Sequence, residues 1–210
     1  MSHAHDQAEA TALQTARDLV ARNREGTLLA DDRPFPIKFV ADPITGDLIA
    51  PVPEEALDAS NLLLFVPDES FDAIQLLVEA DLVPESALTD RWCAYHLSQN
   101  HPHWARLTID SAKHDRWVFT AAQLSPPNPI AADEPALCRL LNADKPALAR
   151  LARSISKHEA PDPVCVGVNS AGAYIRARFS VLLAPFDPPA RNAQDARDRI
   201  NHWLSAPSPR

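Results

Sequence analysis

Glycine is scarce, with four in 210 residues. No GxGxxG, GxxxxGK[ST] or GxSxG can be assembled from Gly26, Gly46, Gly167 and Gly172. A dinucleotide fingerprint, a P-loop and an α/β-hydrolase nucleophile elbow are therefore excluded. Cysteine is also rare: Cys93, Cys138 and Cys165 are odd in number, far apart in the chain and form no CxxC. This argues against a disulfide scaffold or a cysteine zinc site, and each cysteine is expected to be a small buried hydrophobe. There is no apolar run of membrane-spanning length and no signal-peptide core, so the expectation is a cytoplasmic protein with no membrane partner. Runs of Lys or Arg are missing and the net charge is −8. Nucleic acid needs a basic face to displace its counterions, so it is not expected as a partner. No Ser or Cys sits in the context of a catalytic triad.

The chain does hold 46% apolar residues, enough for a sizeable core, and 20 prolines that break it into many short elements. Helical spacing covers residues 7–24, with Leu13, Ala16 and Val20 on one face and Gly26 as the residue after the helix. A polar tail carrying His3 and His5 precedes it and is expected to be disordered. Thr27–Ala30 reads as a short strand. Phe35, Ile37, Phe39 and Ala41 then alternate as one face of a strand. Asp42–Asp47 has turn chemistry, and Leu48–Val52 returns as the hairpin partner. Asn61–Val66 is a short apolar strand. Ile74, Leu76, Val78, Ala80 and Leu82 alternate most clearly of all. Residues 86–99 switch to helical spacing, with Leu88, Trp92 and Tyr95 on one face. Ala105, Leu107 and Ile109 alternate again, and Trp117–Phe119 closes the series after a charged turn. Strands at this density predict a small barrel over residues 7–120 rather than a doubly wound parallel sheet.

Residues 121–132 are the linker candidate. Beyond them, 133–205 predicts a small α+β domain. Asp133 is placed to cap a helix with Pro135 in its first turn, and Asp144 to cap a second lined by Leu148, Leu151 and Ile155. Val164–Val168, Ala173–Phe179 and Val181–Phe186 read as strands, with Asn169–Gly172 as a turn. A last helix starts near Asn192, with Ala193, Ala196, Ile200 and Trp203 on one face.

Three stretches of this second part resemble a known domain: Leu140-Leu141-Asn142-Ala143-Asp144-Lys145, Val166-Gly167-Val168-Asn169-Ser170-Ala171-Gly172 and Ala193-Gln194-Asp195-Ala196-Arg197. Their order and spacing resemble the α+β domain that follows a pyridoxamine 5'-phosphate oxidase-like, FMN-binding split barrel in haem-utilisation proteins. The opening, Ala16–Val20 followed by Gly26-Thr27-Leu28, resembles the start of such a barrel. The resemblance implies an α+β fold, a mostly antiparallel split β-barrel followed by a small α+β domain. It also implies a homodimer with FMN or haem held near the subunit interface, and an FMN-dependent oxidoreductase or haem-degrading type of activity. The chain departs from the pattern at Lys145, where the family has His, and at Asn169, where it has Asp. Where flavin-binding barrels hold phosphate, this chain offers Lys38 and then the acidic Pro51-Val52-Pro53-Glu54-Glu55. The alternative is thus a protein without cofactor or catalysis, regulatory or scaffolding, that binds a protein partner.

The candidate cofactor-binding residues are Lys38, Trp92, Tyr95, His96, His101, His103, Arg106 and Arg116. Trp92, Tyr95, His96, His101, His103 and Trp104 crowd one stretch. Imidazoles can ligate haem iron, and flat aromatic rings can lie against a porphyrin or flavin. The same stretch also reads as a solvated loop from helix to strand, with Trp92 and Tyr95 in the core. Arg106, Lys113, His114 and Arg116 could receive a phosphate or propionate, or form a solvated strand and turn. Arg106 falls between the inward Ala105 and Leu107 and is expected to face away from the core.

Overall fold

The structure, a computed structural model, describes residues 2–98, 101, 103–156, 160–178 and 180–205. Gln99, Pro102 and Phe179, which the sequence places in a helix end, a His-Pro-His loop and a strand, lie outside the described residues. The chain divides into two compact units, residues up to Cys93 with Leu97–Pro127, and Ala94–His96 with Asn128 onward.

The first unit opens with α1 (Ser2–Arg22), which takes in the tail expected to be disordered. Gly26 does not end this helix. The last carbonyls are capped earlier, Leu19 by the Asn23 amide at 2.8 Å and Val20 by the Arg24 guanidinium at 2.9 Å. Gly26 lies instead in β1 (Glu25–Ala30), where any Cβ would strike the Phe65 carbonyl. Then come β2 (Arg33–Lys38), β3 (Val40–Ala41), β4 (Leu48–Pro51) and the single turn α2 (Glu54–Leu57). β5 (Leu62–Val66), β6 (Ile74–Val83), α3 (Ala87–His96), β7 (Trp104–His114), β8 (Trp117–Thr120) and α4 (Ala121–Leu124) complete the unit. Thus the segment expected to be a bare linker begins with a helical turn. Thr120 Oγ1 caps it from outside, accepting from the Gln123 N–H at 3.3 Å.

Every ladder in this sheet is antiparallel, and the strand order is β2-β1-β5-β6-β7-β4-β3, with β8 beside β7. The two ends of that order, β2 and β3, are separated in the chain by Phe39 alone. One stretch, residues 33–41, therefore pairs with β1 through its first half and with β4 through its second, and the sheet curls back on itself as a split barrel. Phe35, Ile37, Phe39 and Ala41 all contribute to the apolar interior, together with Leu28, Leu48, Leu64, Leu76 and Leu107. Each fully buried side chain of this size stabilises by about 1.5–3 kcal/mol. Leu82, in the inward phase of β6, is 63% exposed near the strand's end, so the alternation outruns the core there.

A bulge changes phase in β7. Leu77 pairs with Ser111 and Val78 with Ile109, leaving Asp110 as the extra residue. The inward positions accordingly shift from Ala105, Leu107 and Ile109 to Ala112.

The second unit holds α5 (Glu134–Ala143), α6 (Lys145–Ser156), β9 (Val164–Asn169), β10 (Gly172–Arg176), β11 (Val181–Pro185) and α7 (Ala193–Ser205). Its sheet has the order β11-β10-β9, and α5 packs on β9, α6 on β11 and α7 on both helices. Asp133 precedes α5 with helical backbone angles and makes no side-chain cap. Asp144 does cap α6, accepting from the Ala147 N–H at 2.9 Å. Asn169 shapes the β9–β10 turn, its Oδ1 accepting from Ala171 N–H at 2.9 Å and Gly172 N–H at 3.2 Å. Asp195 holds the start of α7, accepting from Arg191 N–H at 3.1 Å and Arg199 Nε at 2.9 Å. Asp144, Asn169 and Asp195, three polar residues of the stretches quoted above, thus accept from backbone N–H groups at element ends.

No helix among the described residues is long and apolar enough to cross a membrane, and no group of three His, Cys, Asp or Glu there is arranged to hold a metal ion.

Candidate functional site

The helix α3 begins with a reciprocal cap. Ser86 Oγ accepts from the Leu88 N–H at 3.3 Å, and Thr89 Oγ1 accepts from the Ser86 N–H at 2.8 Å. Leu97, in the left-handed conformation, ends it. Between these limits the helix presents Trp92, whose indole N–H donates to the Lys38 carbonyl at 2.7 Å. Trp92 is thereby tied to the last residue of β2, next to the bend at Phe39.

Trp104, the first residue of β7, lies on the face of the sheet opposite Ala105 and Leu107. Its ring centroid is 5.3 Å from that of Trp92, edge to face at 74°. His101 fills the third corner, 4.7 Å from Trp92 and 5.1 Å from Trp104, edge-on to both. Its Nε2 is 3.2 Å from Ser98 Oγ. Both indoles are buried and the imidazole is half-buried. Burial pushes the His101 pKa down from its ordinary value, so the ring is neutral at pH 7 and keeps a lone pair for a Lewis acid. His103 is half-buried beside this cluster in sequence, and its carbonyl accepts from the Val52 N–H at 3.1 Å.

The other predicted residues make different contacts. Tyr95 and His96, in the last turn of α3, belong to the second unit. Tyr95 there packs against Tyr174 at 5.8 Å, and its hydroxyl lies over Gly167 where a side chain would stand. The spacing of Trp92 and Tyr95 on one helix face cannot reveal that they serve different units. Lys38 contributes its carbonyl, while its side chain is exposed. Arg116 is exposed at the turn after β7 and lies over the Trp117 ring at 5.2 Å, with His5 of α1 on the same indole at 4.9 Å. Trp104 and His114 bound opposite ends of β7, on the order of 30 Å of extended chain apart. Lys113 and His114 stay with Arg116 at that far end.

Arg106 does face away from the core, as its position between Ala105 and Leu107 requires. Its Nη1 donates to Asp42 Oδ2 at 3.0 Å, Asp47 Oδ2 at 3.0 Å and Thr45 Oγ1 at 3.1 Å. The Asp42 carboxylate also accepts from the Ile44 N–H at 2.9 Å. Burial would raise the Asp42 pKa, but the Ile44 N–H, Arg106 and the Thr45 N–H outweigh it and hold the carboxyl below its usual range. Burial likewise works against the Arg106 charge and is outweighed by the same carboxylates, so the guanidinium stays protonated. This ion triad closes the turn between β3 and β4. The strand register sets this up: Ile49 stands opposite Arg106, which brings the 42–47 turn alongside.

No protein-family model and no curated protein matches the chain. Among solved structures, the protein Atu2129, of unknown function, from Agrobacterium tumefaciens str. C58 is similar at a TM-score of 0.72 and 15% identity, over 93% of this chain and 96% of that one. That likeness shows the fold. A heme binding protein from Mycobacterium smegmatis aligns over 92% of this chain and 96% of its own with a TM-score of 0.38 and 14% identity. A FAD binding protein from Mycobacterium smegmatis aligns over 53% of this chain and 96% of its own with a TM-score of 0.34 and 15% identity.

Proposed function

We propose that this chain is a cofactor-binding split-barrel protein of the haem-utilisation type, working as a homodimer, with the Trp92–His101–Trp104 cluster as the contact for a flat tetrapyrrole near the subunit interface. The single observation that carries this reading is His101. A neutral imidazole held edge-on between two indoles, with Nε2 facing Ser98 Oγ, is a side chain that would hold haem iron through a ring nitrogen, and burial in the aromatic corner disfavours its protonation. Haem, when bound, would supply redox chemistry at its iron. FMN fits less well. Its phosphate needs free cationic donors, and Arg106 is already shared between two carboxylates. Self-association is supported by two apolar side chains left in water on the outer face of the sheet, Leu77 on β6 and Val118 on β8.

Haemin titration tests this reading. A Soret shift that saturates at one haemin per chain supports it, and an unchanged spectrum at micromolar haemin defeats it. Light scattering on the same preparation reports the dimer.

A second reading is favoured by the Arg106 triad together with Glu54 and Glu55 in the first turn of α2. Glu54 and Glu55 put negative charge where the resemblance implies a flavin phosphate, and Arg106 already has two carboxylate partners. On this reading the chain keeps the barrel, binds no cofactor and regulates a protein partner. Enrichment of one partner in a pull-down, with a flat haemin titration, would select it.

A further inference from the structure

The sequence separates Cys138 from Cys165 by a helix and a loop, yet the fold places their sulfurs 3.8 Å apart, Cys138 on α5 and Cys165 on β9. The spacing between these two elements is set by other residues of the same helix face. Glu134, one turn before Cys138, accepts from the Val168 N–H at 2.9 Å. Asn142, one turn after it, donates to the Cys165 carbonyl at 2.8 Å and accepts from the Cys165 N–H at 3.0 Å. Positions 134, 138 and 142 thus share one stripe of α5, and two of the three are stitched to β9 by hydrogen bonds. The third is a thiol facing a thiol. Both cysteines are free, and less than 2 Å of approach separates the pair from a disulfide bond length.

We propose that Cys138 and Cys165 are an oxidation site that closes to a reversible intrachain disulfide under a hydroperoxide. The two sulfurs differ in access. Cys138 is half-buried and Cys165 is buried at 3% exposure, so the oxidant meets Cys138 first. Contact with the Cys138 thiol, then burial, push the Cys165 pKa up, so Cys165 waits as a thiol rather than competing as the first nucleophile. In the first step the Cys138 sulfur takes one oxygen from hydrogen peroxide, giving a sulfenic acid and one water. In the second the Cys165 sulfur attacks the Cys138 sulfur, the sulfenic hydroxyl leaves with the Cys165 proton as a second water, and the S–S bond forms. Two thiols are oxidised, and one peroxide is reduced to two waters. The product ties α5 covalently to β9 and encloses α6 in the loop.

Hydrogen peroxide treatment of the full chain followed by denaturing alkylation tests this. The expected result is a fall from three alkylable thiols to one, the survivor being Cys93, with a dithiothreitol-reversible peptide pair linking Cys138 and Cys165. In C165S a dimedone-reactive sulfenic acid should accumulate at Cys138. In C138S, Cys165 should stay a thiol at least tenfold longer than the wild-type pair. Three alkylable thiols after treatment, over-oxidation of Cys138 with no linked peptide, or a linkage that includes Cys93 would each overturn the proposal.

Discussion

Asn142 holds Cys165 by both of its backbone polar groups, donating to the carbonyl at 2.8 Å and accepting from the N–H at 3.0 Å. β9 is an edge strand, and edges left unpaired invite pairing with other chains. Here side chains take the place of a further strand: Asn142 at Cys165, Glu134 at the Val168 N–H, and Asn128 at the Val168 carbonyl at 3.2 Å. Asn142→Ala leaves two backbone groups of the buried Cys165 without their partners and should cost about 2–3 kcal/mol. Asn142→Asp keeps the acceptor alone and should cost less. Urea unfolding of the two variants checks the order.

The Asp42–Arg106–Asp47 triad makes stability depend on acid. Asp42 titrates below an unfolded carboxyl of about 3.9. Its contribution is therefore complete above about pH 4 and is lost as pH falls through the lower folded value. Asp42→Asn should be less stable than wild type at pH 7, and the difference should shrink below pH 4. Arg106→Ala leaves two carboxylates facing each other at the turn and should cost about 1–2 kcal/mol at pH 7, less at pH 3. Thermal melts across pH 2.5–7 are the measurement.

Phe39 is where one strand leaves β1 and joins β4, and it is fully buried. Phe39→Ala opens a cavity at the seam on which closure of the sheet depends and should cost about 3–5 kcal/mol. Gly26→Ala should cost about 2 kcal/mol, because the added methyl meets the Phe65 backbone rather than a movable side chain. A comparable loss for an exposed substitution such as Val118→Ala would mean that the seam has no special place.

The strands of the barrel were legible in the sequence because alternation is local. Phe35, Ile37, Phe39 and Ala41 read as one inward face, and they are one. What alternation cannot express is pairing, so nothing in those residues announced that their two halves join different neighbours. The bulge at Asp110 was hidden for a related reason: a single extra residue flips the phase, and Ala105, Leu107 and Ile109 alone give no warning of it. Arg106 was correctly placed on the outer face, yet its acidic partners lie in a turn some sixty residues earlier. The cysteines read as isolated hydrophobes because Cys138 and Cys165 meet only once helix and strand are packed. Trp92, His101 and Trp104 were grouped from proximity in the chain and are grouped in space. Tyr95 and His96, just as close in sequence, serve the second unit, a division that helical spacing does not encode.

Exposed Leu77 and Val118 predict self-association through the outer face of the barrel sheet. A Leu77→Lys and Val118→Lys double variant should elute as a monomer while keeping its circular dichroism spectrum. Unchanged light-scattering mass would direct attention to another face.

The most direct test of the central claim is a haemin titration of wild type beside His101→Ala and His103→Ala. If His101 holds the haem iron, its removal weakens haemin binding at least tenfold and changes the Soret position, while His103→Ala stays close to wild type. Identical titration curves for wild type and His101→Ala would contradict the account.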